Sequence, residues 1–253
     1  MIYLDNAATS FHKPDCVPRA VVEAMQHAGN SGRGSSGEAM AASRLIFNTR
    51  CQIAEMFDIW GPECVAFTSN DTEALNIALQ GTLHPEEGTI HAICTEMDHN
   101  SVLRPLYRLE KNGMKFTILP ADRKGRISLT ELEAAIRPET KVIVCTHASN
   151  LTGNLNDIHA IGEIAQRHQK LFIVDAAQTA GVFPISMKKD HIDILCFSGH
   201  KGLMGPQGTG AICVRPGVAV EPLKVGGSGV LTFQREHPQD MPEALEAGTL
   251  NSH

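Results

Sequence analysis

From residue 64 onward, short apolar runs alternate with amphipathic ones. Val65-Ala66-Phe67, Ile90 to Cys94, Phe116 to Leu119, Val142 to Cys145, Leu171 to Val174, Ile192 to Phe197 and Ala211 to Val214 are almost wholly apolar and read as buried strands. Between them, Thr72 to Leu83, Ser101 to Lys111, Leu129 to Ile136 and Ile158 to His168 carry helical spacing. Two more helices are predicted earlier, over Pro18 to His27 and Glu38 to Phe57. A Gly/Ser loop with Arg33 joins those two, and Tyr3 to Asp5 reads as a short opening strand that runs into a polar turn. Alternation of this kind predicts an α/β fold: a mostly parallel seven-stranded sheet with helices on both faces. No internal repeat or convincing linker interrupts it.

In a parallel sheet, ligands sit beyond the carboxyl ends of the strands. The residues just after each predicted strand are therefore the candidates. Thr68 to Asn76 follows the first and opens a helix, a natural anion site with the Thr72 hydroxyl nearby. Asp71 would repel an anion there unless it points away. His99 follows the second strand, Asn150 the fourth, and Asp175, Ala176, Ala177 and Gln178 the fifth. A carboxylate at a buried strand end needs a cation. Ser198-Gly199-His200-Lys201 follows the sixth, ahead of a glycine-rich turn. A lysine squeezed between a strand end and a tight loop suits a desolvated, nucleophilic amine. Singly, each residue is also compatible with an ordinary cap, loop or surface role; together at one sheet edge they are harder to dismiss.

Composition narrows the classes. The net charge is -6 with a pI near 6.0, which argues against nucleic acid or an anionic membrane as partner. No apolar stretch reaches the roughly 20 residues of a membrane span, and Met1 to Asp5 lacks the pattern of a signal peptide. Seven cysteines at 16, 51, 64, 94, 145, 196 and 213 are dispersed without a C-x-x-C pair, which suggests reduced thiols in the cytoplasm, most of them core residues.

One lysine, one carboxylate, an imidazole, amide donors and an anion cup form the set that pyridoxal phosphate requires. The stretches Tyr3 to Thr9, Thr68 to Asn76, Met97 to Ser101, Ser149 to Gly153, Val174 to Gln178 and Ser198 to Lys201 resemble, in order, those of the class V aminotransferase family, within it the cysteine desulfurases and selenocysteine lyases. The resemblance implies the large domain of a type I pyridoxal-phosphate transferase. It implies that Lys201 forms the Schiff base and later moves the α-proton, Asp175 pairs with the ring nitrogen, and His99 stacks on the ring. It further implies that Gln178 contacts the phenolic oxygen, Asn150 borders ring and substrate, and Thr72, Ser198, His200 and a backbone N–H near Asp71 hold the phosphate. Asn6, Ala7 and Ala8 would border the substrate, within an N-terminal segment of residues 1–15 ahead of a cofactor domain over 16–253. Glu246 to Thr249 resembles the segment whose hydroxyl, here Thr249, reaches the partner's phosphate in a homodimer. Family members continue into a small domain with the sulfur-accepting cysteine and a carboxylate-binding arginine, expected to be missing here. The implied activity is desulfuration of L-cysteine to alanine and an enzyme persulfide, with a sulfur-acceptor protein as a possible partner; no metal is expected. A selenocysteine lyase, another class V lyase or aminotransferase, and a non-catalytic pyridoxal-phosphate scaffold remain as alternatives, and Asn70-Asp71 departs from the small residues usual in that turn.

Overall fold

A computed structural model describes residues 2–31, 36–231 and 233–252; Arg33 and its loop neighbours lie outside that set. Seven strands form one sheet: β1 (Val65–Thr68), β2 (His91–Thr95), β3 (Lys115–Leu119), β4 (Thr140–Thr146), β5 (Leu171–Asp175), β6 (Ile194–Ser198) and β7 (Gly210–Val214), in the order β1-β7-β6-β5-β4-β2-β3. All neighbours pair in parallel except β7, which is antiparallel to both β1 and β6. The reversal at β7 leaves β1 running the same way as β6, so six strands present their carboxyl ends to one edge.

Among the described residues six α-helices accompany the sheet: α1 (Cys16–His27), α2 (Gly37–Met56), α3 (Asp71–Thr82), α4 (Asn100–Glu110), α5 (Leu129–Ala135) and α6 (Ile158–Arg167). Strand residues alternate between two cores, as the period of two demands. Phe172, Val174, Leu195 and Phe197 point toward α2, α5 and α6; Ile173, Ile194, Cys196 and Ile212 point toward α3 and α4. Strands covered on both faces explain the continuous apolar runs, and β2, β6 and β7 are buried at every position.

The expected opening strand is absent: residues 2–5 are irregular and 6–8 form a turn. Its aliphatic side chains face solvent, for Ile2 and Leu4 are 88% and 91% exposed. The segment is tied down instead by Ser10 N–H and Ser10 Oγ, both donating to the His200 carbonyl at 3.0 Å. A few bonds to one loop cannot order a strand that has no ladder to join.

Candidate active site

The carboxyl ends of the strands align in two rows. Thr146, Asp175 and Cys196 are register partners across β4, β5 and β6, and Ser198, Gly210 and Thr68 across β6, β7 and β1. Past this edge lies a cleft of about 240 Å³ whose lining includes Ala7, Ala8, Asp71, Thr72, His99, Asn150, Asp175, Gln178, Ser198, His200 and Lys201. Eleven of the thirteen residues expected from the sequence thus share one cavity. Asn6 does not line it; its amide oxygen accepts from Phe11 N–H. Thr249 lines a different, larger and more apolar cleft of about 660 Å³ against α1 and α2.

The α3 side is built by capping. Asn70 is extended and its side chain accepts from Glu73 N–H at 2.9 Å. That leaves the N–H groups of Asp71 and Thr72 at the cleft, since the first turn of a helix has no intrahelical acceptors. The turn rides directly over β7: a Cβ on Gly210 would come within 2.8 Å of Asn70 C and Phe197 O. Thr72 Oγ1 lies 2.8 Å from Ser101 Oγ, which lies 2.9 Å from His99 Nδ1. His99 also caps α4, accepting from Ser101 N–H. A hydroxyl relay therefore joins the first turns of α3 and α4.

Asp175 is held through both its backbone carbonyl and its carboxyl. Its carbonyl accepts from His147 N–H and its Oδ1 from Ala177 N–H, both at 2.8 Å. Burial pushes its carboxyl above the usual range; the Ala177 N–H, Lys201 and His99 pull it back in part. Among the chain's own groups burial thus outweighs the cationic neighbours, and the preference for the ionised form expected at this strand end needs a further cation. Asp71 does not point away from the cleft, contrary to the reading that would spare an anion its charge. It is 7% exposed, its Oδ1 has no partner, and burial with the nearby Asp175 charge pushes its carboxyl well up.

Lys201 is half-buried, at the start of a turn closed by Met204 N–H to the Lys201 carbonyl at 2.9 Å and Gly205 N–H to the Gly199 carbonyl at 2.7 Å. Among the described residues its ammonium has no hydrogen-bond or ion-pair partner. Ser198 Oγ is buried and equally unpartnered. An open amine, an orphaned hydroxyl and free helix N–H groups are the donors a phosphorylated carbonyl compound would use. Gln178 Nε2 donates to the Ala7 carbonyl at 3.0 Å, drawing the N-terminal turn over the opening.

Three contributors escaped the sequence reading. Ser101 and Thr146 line the cleft, and Asp98 joins the ends of β2 and β4 by accepting from Thr95 N–H, Thr95 Oγ and Thr146 N–H. Asp98 could have been found by the argument applied to Asp175, a carboxylate just past a buried strand. No cysteine lines the cleft among the described residues. Five of the seven are buried, and burial pushes the thiols of Cys64, Cys94, Cys145, Cys196 and Cys213 up.

The chain is similar to proteins named as cysteine desulfurases. It is 33% identical to a probable cysteine desulfurase of Methanothermobacter thermautotrophicus over 99% of its own length, and 36% identical to a putative cysteine desulfurase IscS of Bacillus subtilis over 89%. It spans 63% and 59% of those two relatives. The apo cysteine desulfurase of Thermococcus onnurineus superposes with a TM-score of 0.90 at 33% identity, covering 99% of this chain and 64% of that one. A protein described as SspA in complex with cysteine superposes at 0.89 with 29% identity, covering 100% and 69%. The aminotransferase class-V family profile matches residues 2–253, and with the strand-end cleft already described the chain belongs to that family.

Proposed function

We propose that this chain is the cofactor-binding part of a pyridoxal-phosphate-dependent cysteine desulfurase, one that takes sulfur from L-cysteine and leaves alanine and an enzyme persulfide. The observation that carries the reading is the meeting of Lys201, Asp175 and the unpartnered Ser198 hydroxyl in one cleft of about 240 Å³. A related protein described as a complex with cysteine supports the substrate class.

Pyridoxal 5'-phosphate, when bound, supplies an aldehyde that condenses with amines and a pyridinium that accepts electrons from the substrate α-carbon. Lys201 would provide the amine that holds the cofactor and the base that moves the α-proton. Asp175 would keep a negative charge against the ring nitrogen. His99 would cover one ring face, and Gln178 and Asn150 would donate near the phenolic oxygen and substrate. Thr72, Ser198, His200 and the Asp71 N–H would hold the phosphate, using hydroxyls and a helix N-terminus. Ala7 and Ala8 would border the substrate, as part of a segment over residues 1–15 that lies against the cofactor domain of 16–253.

Sulfur transfer also needs a thiolate, and the relatives are longer than this chain. We assign that thiolate, and the group that orients the substrate carboxylate, to sequence that those relatives have beyond the matched region. Two copies would form a homodimer in which Thr249 reaches the partner's phosphate. A sulfur-acceptor protein would take the persulfide. A cytoplasmic location fits the dispersed, unpaired cysteines, and no described helix is long and apolar enough to cross a membrane. The test is the visible spectrum of purified protein after incubation with pyridoxal phosphate and gel filtration. A retained band that shifts on adding L-cysteine supports the reading; a colourless protein refutes it.

A further inference from the structure

Two carboxylates close the floor of the cleft where one would serve the chemistry proposed above. Asp175 ends β5 and Asp71 opens α3; they are 2% and 7% exposed and line the same cavity. They are not equivalent. Asp175 Oδ1 accepts a backbone N–H, and both Lys201 and His99 act favourably on its charge. Asp71 Oδ1 has no partner among the described residues, and Lys201 is the cation that acts on it.

The other titratable groups nearby do not supply the missing positive charge. Cys196 on β6 is a buried thiol pushed up by burial and by both carboxylates, hence neutral. Asp98, just past the end of β2, is itself a carboxyl that burial pushes up to about 7, and it supplies no positive charge. His200 is pulled down by burial, Lys201 and Lys13, so it is neutral near pH 7. Glu73, on the same turn as Asp71, is engaged by Ser69 and Lys224 instead. Two buried anions facing one ammonium are unfavourable, and a single proton relieves them. That proton resides where the ionised form has fewest donors.

We propose that Asp71 and Asp175 share one proton, that Asp71 holds it, and that this neutral carboxyl is what lets a phosphate group settle at the N-terminus of α3. The identity of the phosphate's carrier rests on the cofactor reading; the carboxylate pair does not. Protonated, Asp71 offers an O–H donor inside the anion cup. Ionised, with its proton lost to solvent, it places a negative charge there. Ligand retention should therefore weaken as pH rises through the ionisation of Asp71, and Asp71→Asn, neutral at every pH and of equal size, should remove that dependence.

Three readings on wild type and Asp71→Asn between pH 5 and 9 test this: melting of the ligand-free protein, the dissociation constant of pyridoxal phosphate, and the thermal shift given by inorganic phosphate. Ionisation of phosphate affects both proteins alike, so the difference between them reads Asp71 together with its interaction with Lys201. The expected result is a wild-type melting temperature that falls below that of Asp71→Asn as pH rises, and a wild-type affinity that drops at least tenfold more than the variant's. Melting and binding profiles that coincide would overturn the proposal, as would Asp71→Asn being the less stable protein at pH 8. Coincident profiles with tight pyridoxal phosphate binding would leave the cofactor reading intact. The predicted melting difference without any pyridoxal phosphate binding would refute the cofactor reading and keep the pair.

Discussion

His200 Nδ1 lies 2.9 Å from Thr9 Oγ1, a contact between residues 191 apart in the chain, and the same Thr9 hydroxyl approaches the His200 carbonyl at 3.2 Å. The N-terminal segment is thus fastened to the loop that carries Lys201, not to the sheet. Thr9→Val keeps the shape and removes both bonds. It should lower stability by about 1 kcal/mol, the usual net worth of a hydrogen-bonded pair, and speed amide exchange over residues 3–8 while β5 and β6 stay protected. Unchanged exchange in the segment would show that the fastening lies elsewhere.

Asp98 makes a pH prediction with a definite sign. Burial pushes its carboxyl up to about 7, net of the Thr95 and Thr146 donors that pull it down. The folded state therefore binds its proton more tightly than the unfolded chain, whose aspartates titrate near 4. The stability from this group is complete below about pH 4 and is lost as pH rises to about 7. Over that window wild type should lose on the order of a few kcal/mol relative to its own acid value, and Asp98→Asn should lack this component. Chemical denaturation at pH 4.5 and 7.5 reads it, and equal pH slopes in the two proteins would be the contrary result.

Asp175→Ala should fold, because Asp175 makes one side-chain bond, yet retain pyridoxal phosphate poorly. A pyridinium held by Asp175 would add a cation to the pull of Lys201 and His99, so binding should lower this carboxyl's affinity for its proton. Removing it should weaken cofactor retention at least tenfold and slow α-proton exchange of bound amino acid, followed by NMR in deuterated buffer. Exchange at the wild-type rate would deny Asp175 its role.

Most of this was legible from the sequence for a simple reason. Strands covered on both faces are apolar throughout, so the central strands β2, β6 and β7 announce themselves, while the edge strand β3 is legible from its shorter apolar run; the parallel-sheet rule then points to the residues after them. The rule found Lys201, Asp175 and His99 without any contact in hand. It failed where order comes from tertiary partners: the pattern at Tyr3 to Asp5 resembles a strand, but no neighbour completes a ladder. It also could not orient Asp71, because an aspartate in a first helical turn reads as an ordinary cap-region residue. Its inward direction depends on how α3 sits over Gly210 and β6. Thr249 lies apart from the cleft within one chain, and sequence spacing carries no information on which copy a residue serves.

The 253-residue chain alone should bind cofactor and yet release no sulfide from L-cysteine. Its five buried thiols are pushed away from the thiolate form, and none of the described cysteines lines the cleft. Orientation of reacting groups is worth roughly 7–11 kcal/mol, so a thiol not positioned at the cleft replaces a positioned one by a small fraction at most. Sulfide and alanine assays with added cofactor and reductant check this. Turnover matching a full-length relative would mean that the sulfur-accepting group is already within these residues.

The central claim is that Lys201 carries pyridoxal phosphate. Borohydride reduction of the cofactor-loaded protein, followed by proteolysis and mass spectrometry, locates the attachment directly. The account predicts one reduced phosphopyridoxyl adduct, on the peptide containing Lys201, and none in Lys201→Ala protein of unchanged circular dichroism. An adduct at another lysine, or an undiminished adduct in Lys201→Ala, would contradict it.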